Sequence, residues 1–344
     1  MKITASVLRW STIALGIAVS GRAQSDRGEP YHVSQVFQVA GDGGWDYLTV
    51  DPSAGLLYVP RTTHTMVVDA KTGRIVADIP GQKHNHGVAI VPAAGRGFIT
   101  DGEDGSVVVF DLKSFRVLGK IKTEPDADGI IYDPASNKVL LVSGDGHALI
   151  PISPDVDPRT GSADPAVDLG GAPEFLAADG RGKVFVNLAD KDLVAVVDTK
   201  AMKLAGRWPT APGGQPTAMA IDRPGGRLFI GCRKPQKMIV MSTADGAILA
   251  DLPLGPGVDA AQFDSDAFAS ARDGSLTVVR ETSPGKFRII QTVKTPVGAR
   301  TMGLDPLTHT LYLPTADFGP PNLAGHADAV PETFMIVVVT PTGE

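Results

Sequence analysis

A tetrad that reads Tyr-Val-x-x, or a close relative of it, recurs seven times along the chain at nearly even spacing, and this period restricts the fold more than any single residue does. Tyr58-Val59-Pro60-Arg61 returns as Phe98-Ile99-Thr100-Asp101, Leu140-Leu141-Val142-Ser143, Phe185-Val186-Asn187-Leu188, Phe229-Ile230-Gly231-Cys232, Phe268-Ala269-Ser270-Ala271 and Tyr312-Leu313-Pro314-Thr315. An apolar segment that ends at a turn precedes each tetrad, and its last residue serves as an anchor: Asp51, Val91, Asp133, Asp179, Asp222, Asp264 and Asp305. Successive anchors lie 40, 42, 46, 43, 42 and 41 residues apart. A period of about 40 to 45 residues that reads as four short strands marks a β-propeller blade. The expected fold is all-β: a seven-bladed β-propeller of four-stranded antiparallel blades.

The first full blade shows the local pattern. Strand a falls at 46–50, b at 56–59, c at 66–69 and d at 75–79, separated by Asp-Pro and x-Gly turns that suit hairpins. A Pro/Asp/Gly-rich stretch at 153–165 is expected to be a c–d loop of blade 3. The seventh blade has strands at 301–304 and 310–313, an insertion at 318–331 and a strand c at 334–339, with no strand d after it. The segment 34–39 has the pattern to supply that strand, so an N-terminal strand is expected to complete the last blade and close the ring.

Because repeats bury their faces only against neighbours, 24–344 is expected to form one propeller domain rather than two domains. The first 23 residues differ: Lys2 and Arg9 precede a mostly apolar run at 10–19, and Gly21-Arg22-Ala23 offers small residues at a cleavage site. This is the pattern of a secretory signal, so a periplasmic or secreted location is expected. No apolar run approaches about 20 residues, and no membrane anchor is expected. A net charge of −6 without Lys/Arg clusters argues against a nucleic-acid partner. Cys232 is the sole cysteine, which excludes an intramolecular disulfide, c-type haem attachment and a multi-thiolate metal site; it reads as a small buried residue.

In a propeller the a strands line the central channel, and the d–a and b–c loops share one face. Five residues before each anchor, at the start of strand a, stand Asp46, His86, Asp128, Glu174, Thr217, Asp259 and Arg300. The ionisable members, Asp46, His86, Asp128, Glu174, Asp259 and Arg300, form a candidate ligand-binding ring at the channel mouth. Two readings stand side by side: strand-end groups that satisfy backbone N–H donors, or a site. Like charges converging on one axis repel unless a cation, Arg300 or a ligand compensates. Such a ring suits a divalent metal ion, Ca²⁺ with oxygen ligands or Zn²⁺ or Cu²⁺ with imidazole added.

His84-Asn85-His86 places two imidazoles on one side of an extended stretch, and His64 lies in the neighbouring b–c loop, so His64, His84 and His86 are candidate metal ligands. By the same count His147 and His326 fall on this face, and His32 and His309 on the other. Arg61, Arg233 and Arg272 end b strands on the same face, either to meet an anionic ligand or as solvated charges. The acidic turns at 101–105, 126–129 and 155–157 lack calcium-loop spacing and read as hairpin turns.

The tetrads, with Trp45-Asp46-Tyr47-Leu48, His86-Gly87-Val88-Ala89, Pro173-Glu174-Phe175 and Gly298-Ala299-Arg300-Thr301-Met302, resemble the YncE-like members of the YVTN-repeat family of bacterial seven-bladed β-propellers. The resemblance covers essentially everything after the signal and implies an exported propeller. It implies little chemistry. Without G-x-S-x-G, a P-loop or a dinucleotide fingerprint, two functions remain. One is an exported binding or interaction module whose loop-bearing face takes a small molecule, metal ion or protein partner. The other is a metal-dependent hydrolase or lactonase, in which Asp46, Asp128, Glu174 and Asp259 share ligand and base roles, His86 ligates or moves protons, and Arg300 stabilises an oxyanion.

Overall fold

The computed structural model describes residues 30–321 and 327–343. The expected signal at 1–23 and His326 lie outside them. The anchor aspartates explain why the period exists. The Asp51 carboxylate accepts hydrogen bonds from Ser53 N at 3.0 Å, Ser53 Oγ at 2.7 Å and Ala54 N at 3.1 Å, which folds the chain back from strand a to strand b. Asp133, Asp179 and Asp305 do the same for Ser136, Gly182 and Leu307. Local carboxylate-to-backbone bonds of this kind favour turns over continued strand. Where Val91 stands instead, a 3-10 turn at Pro92–Ala94 makes the reversal, and Gly95 at φ 64° ends it. A left-handed residue without Cβ penalty is what such a turn requires.

Seven separate four-stranded antiparallel sheets result. Blade 1 comprises Thr49–Asp51, Leu56–Pro60, His64–Asp69 and Ile75–Pro80. Its innermost strand is shorter than the sequence pattern suggests, and residues 46–48 precede the paired segment. The loop at 153–165 joins Ala148–Ile152 to Val167–Asp168 within blade 3, as expected. Strands b and c are buried on both sides; Val107, Val108, Val109 and Phe110 are all fully enclosed. The reason is that one face meets each neighbouring blade: Phe98, Val109 and Ile121 of blade 2 share a core with Ile130, Leu141 and Ile150 of blade 3. Among the described residues no helix is long and apolar enough to cross a membrane.

Blade 7 is assembled from both ends of the chain. Gly303–Asp305, Thr310–Thr315 and Met335–Pro341 are completed by Tyr31–Gln38, antiparallel to the last of these, with Tyr31 opposite Pro341 and Gln38 opposite Met335. The strand starts three residues earlier than the 34–39 read from the pattern. Gln291 of blade 6 holds its beginning: Gln291 Nε2 donates to Tyr31 O at 2.7 Å and Oε1 accepts from Tyr31 N at 3.0 Å. At the other end Phe37, 5% exposed, packs over Gly73 of blade 1, where a Cβ would lie 2.4 Å from the ring. Phe37 thus joins the first blade to the last. Phe37→Ala is expected to cost about 3–5 kcal/mol, read as a lower midpoint in urea unfolding.

Candidate functional site at the channel mouth

The inner strands of blades 2 to 6 lose register at one shared place. In blade 2 Asn85 pairs with Asp101 and the next pair is Val88 with Ile99, so His86 and Gly87 are displaced. The same break encloses Asp128 between Ala127 and Ile130, Glu174 between Pro173 and Leu176, Thr217 between Pro216 and Ala218, and Asp259 between Val258 and Ala260. In blades 1 and 7, Asp46 and Arg300 precede the paired inner strand altogether. Every residue five before an anchor is therefore released from the ladder, which is how bulges re-aim side chains. The tetrad's third residue secures the irregular backbone in several blades. Thr100 Oγ1 accepts from Gly87 N at 2.9 Å, Asn187 Nδ2 donates to Ala218 O at 3.0 Å, and Ser270 Oγ donates to Arg300 O at 2.5 Å.

The structure divides the ring into two halves of opposite character. On one side His86 Nδ1 lies 2.8 Å from Asp46 Oδ2 and 3.5 Å from Asp128 Oδ1, joining blades 1, 2 and 3. Burial opposes the imidazolium, but the Asp46 hydrogen bond and the charges of Asp128 and Asp46 outweigh it and raise its pKa to about 9. Burial pushes the Asp128 carboxyl well above the usual range, eased by His86 and reinforced by Asp46 and Glu174. His86 Nε2 and Asp128 Oδ1 are buried without a hydrogen-bond partner. Of the three candidate histidines, His84 meets His86 edge-on at 4.7 Å between ring centroids. His64 turns to Thr63 Oγ1 at 3.2 Å and Asp78 at 3.7 Å, away from the cluster.

On the other side Asp259 is held by both Arg233 and Arg300, the latter at 2.9 Å. Burial raises its pKa, and the two guanidiniums hold it back. Burial likewise raises Glu174, relieved by Arg233 and reinforced by Asp259 and Asp46, so this carboxyl senses both halves. Other positions serve the backbone, but through carbonyls rather than the N–H donors expected, and Arg61 is buried rather than a solvated charge. Thr217 Oγ1 donates to Val258 O at 3.2 Å. Arg61 lies 1% exposed, with its guanidinium 3.6 Å from the Phe334 ring and hydrogen-bonded to the carbonyls of Gly41, Gly43 and Gly44. The acidic turn at 101–105 is structural too, since Asp101 accepts from Lys83 N at 2.7 Å and pairs with Lys120. Cys232 is fully buried, and desolvation pushes its thiol up to about 12, which removes its nucleophilic form.

Tyr47 is a member of the site that sequence reasoning passed over. Four residues before the anchors stand Tyr47, Gly87, Gly129, Phe175, Ala218, Ala260 and Thr301, so only two of the seven are large. Those two meet across the channel with ring centroids 4.9 Å apart. Burial, then the charges of Asp128, Asp46, Asp259 and Glu174, push the Tyr47 phenol well above its ordinary range. A neutral phenol thus sits among four carboxylates of the ring. Further along the inner strands lies a cavity of about 310 Å³, which Tyr47 and Phe175 also line but no member of the ring does. The unequal sizes at this position were the available signal.

No family model matches the chain, and no curated protein matches it in sequence. Solved structures do. The WD40 repeats of RRP9 superpose with a TM-score of 0.75 at 11% identity, covering 90% of this chain and 99% of that one. Kuenenia stuttgartiensis hydrazine synthase gives a TM-score of 0.67 at 14% identity, over 84% of this chain and 95% of that one. The Myceliophteria thermophila Cps50 beta-propeller domain gives 0.67 at 10% identity, over 90% and 99%. Likeness at this level shows the propeller fold alone.

His86 and Asp128 both bind their protons more tightly in the folded protein than in the unfolded chain, so both contribute stability at low pH that is lost on raising it. For His86 the contribution is complete below its ordinary pKa of about 6.5 and vanishes as pH rises through about 9. Urea midpoints of chelator-treated protein are expected to fall over that window. His86→Asn should flatten the fall.

Proposed function

We propose that the protein is an exported binding propeller of the YVTN type whose channel mouth holds a divalent metal ion and, around it, a ligand. One observation carries this reading. Asp46, His86 and Asp128 come from three blades, yet one donor atom from each lies within 4.8 Å of the others. Their side chains are 20%, 13% and 16% exposed. A cluster this enclosed must share a proton or a cation to offset its carboxylates. The repeated bulge supports the reading, because it releases His86 and Asp128 from the ladder, while Asp46 stands ahead of the paired strand.

The donor set selects among ions. A calcium site needs about six to eight oxygens, and the cluster supplies two carboxylates and one imidazole. That set suits Zn²⁺, whose bonds of about 2.0–2.2 Å in tetrahedral geometry space its ligand atoms by about 3.3–3.6 Å. The 3.5 Å contact fits, and the 2.8 Å contact would open by about half an ångström. Nδ1 is the nitrogen at hand, since a Cβ built on Gly102 would stand 2.8 Å from Nε2. Three protein ligands leave a fourth position open to a ligand atom. The signal pattern of residues 1–23 supports a periplasmic or secreted location.

Zn²⁺ is expected to bind the purified chain with one-site stoichiometry and to raise its thermal midpoint. Asp128→Asn or Asp46→Asn should weaken binding by about tenfold or more. An unchanged midpoint in the parent, or equal affinity in both variants, would overturn the reading. Hydrolysis would use the same cluster with Glu174, whose raised pKa suits a base. Turnover on a lactone and ester panel that disappears in Glu174→Gln, with Zn²⁺ affinity retained, would show an enzyme.

A further inference from the structure

A second recess of about 220 Å³ opens beside the mouth, where blades 6, 7 and 1 meet. Trp45 lines it from the entry to blade 1, Arg272 from the b–c loop of blade 6, Arg300 from the entry to blade 7 and Phe318 from the blade-7 insertion. Trp45 and Phe318 stand edge to face with centroids 6.0 Å apart, giving one wall that is aromatic. Arg272 and Arg300 make the rest of the lining cationic.

Its charge is unbalanced. Arg233 and Arg300 take the two oxygens of Asp259, a carboxylate only 7% exposed. Arg272, in the same field, has no side-chain hydrogen bond or ion pair among the described residues. Two guanidiniums therefore hold one buried carboxylate, and a third, Arg272, stands in the same field without an ion pair of its own. Burial, Arg300 and Arg233 all disfavour the Arg272 charge, and Asp259 alone is the carboxylate relieving it. Asp328 is the one acidic side chain among the described lining residues, against two arginines.

The backbone beneath Arg272 is fixed. Its N–H donates to Gly257 O at 2.9 Å and its carbonyl accepts from Gly298 N at 2.8 Å. Gly298 is at φ 87°, and a Cβ there would stand 2.3 Å from the Phe318 ring. Glycine is thus required for the aromatic wall to lie where it does, and the guanidinium projects from a rigid base.

We propose that this recess binds a carboxylate carried on an aromatic or apolar body, the carboxylate between Arg272 and Arg300 and the body against Trp45 and Phe318. Planar guanidinium forks match carboxylates in geometry as well as charge, and an aromatic wall adds affinity for a flat apolar group. This site does not depend on a metal in the neighbouring cluster. Calorimetric titration of the full chain in EDTA with benzoate, acetate and neutral benzamide tests it. Benzoate is expected to bind saturably, acetate more weakly and benzamide not at all. Arg272→Gln should weaken benzoate by about tenfold or more at an unchanged thermal midpoint, since it breaks no native pair. Phe318→Ala should reduce benzoate to the level of acetate. No saturation by about 10 mM, equal binding of benzamide, or unchanged affinity in Arg272→Gln would overturn the proposal.

Discussion

A propeller blade cannot bury both faces of its own sheet, so each of the seven depends on a neighbour on either side. That dependence makes closure of the ring the constraint on which the rest relies. Here the closing blade takes three strands from the end of the chain and one, Tyr31–Gln38, from its beginning. Gln291 ties that strand to blade 6, and Phe37 seats it over Gly73 of blade 1. With Cys232 the sole cysteine, no cross-link can assist. Hydrogen-bond pairing and packing at this one seam hold the disc shut, and the spacing of residues around the channel follows from it.

The channel mouth inherits its chemistry from a conflict inside strand a. Its apolar residues must face neighbouring blades, while its first turn must carry polar groups to the axis. The bulge resolves the conflict by taking one or two residues out of register. Thr100, Asn187 and Ser270, on strand b, then secure the backbone around the irregular segments. The tetrad that sets the repeat is in this sense also part of the support for the site. Small residues such as Gly87 and Gly129 let adjacent inner strands approach, and Tyr47 with Phe175 fills the axis beneath the ring.

Burying so many ionisable groups is costly unless each is compensated. The compensation is uneven, which is where function is most readily accommodated. Arg61 is fully used by backbone carbonyls, and its role is structural. Asp259 is satisfied twice over, which leaves Arg272 as surplus. The Asp46–His86–Asp128 cluster retains a buried oxygen and a buried nitrogen without hydrogen-bond partners. Neighbouring deficits of opposite sign, one suited to a cation and one to an anion, lie on the same face.

Blade number and the turn chemistry of most anchors were legible in the sequence, because they arise from short-range chemistry repeated along the chain, and the N-terminal closing strand was legible as the one strand the last blade lacked. Asp51, Asp133 and Asp305 act within three residues of themselves, and a period of 40 to 46 residues transmits that local fact to the whole chain. The membership of the ring was legible for the same reason, as a fixed offset from a repeated turn. Its partition was not. Whether His86 meets Asp46, 40 positions earlier, or His64 depends on how strands from different blades converge on the axis. The pairing of Arg233 with Asp259 and the tilted ring contact of Tyr47 with Phe175 likewise join residues from separate blades. Such pairings are set by distances across a closed ring, which no one-dimensional period contains.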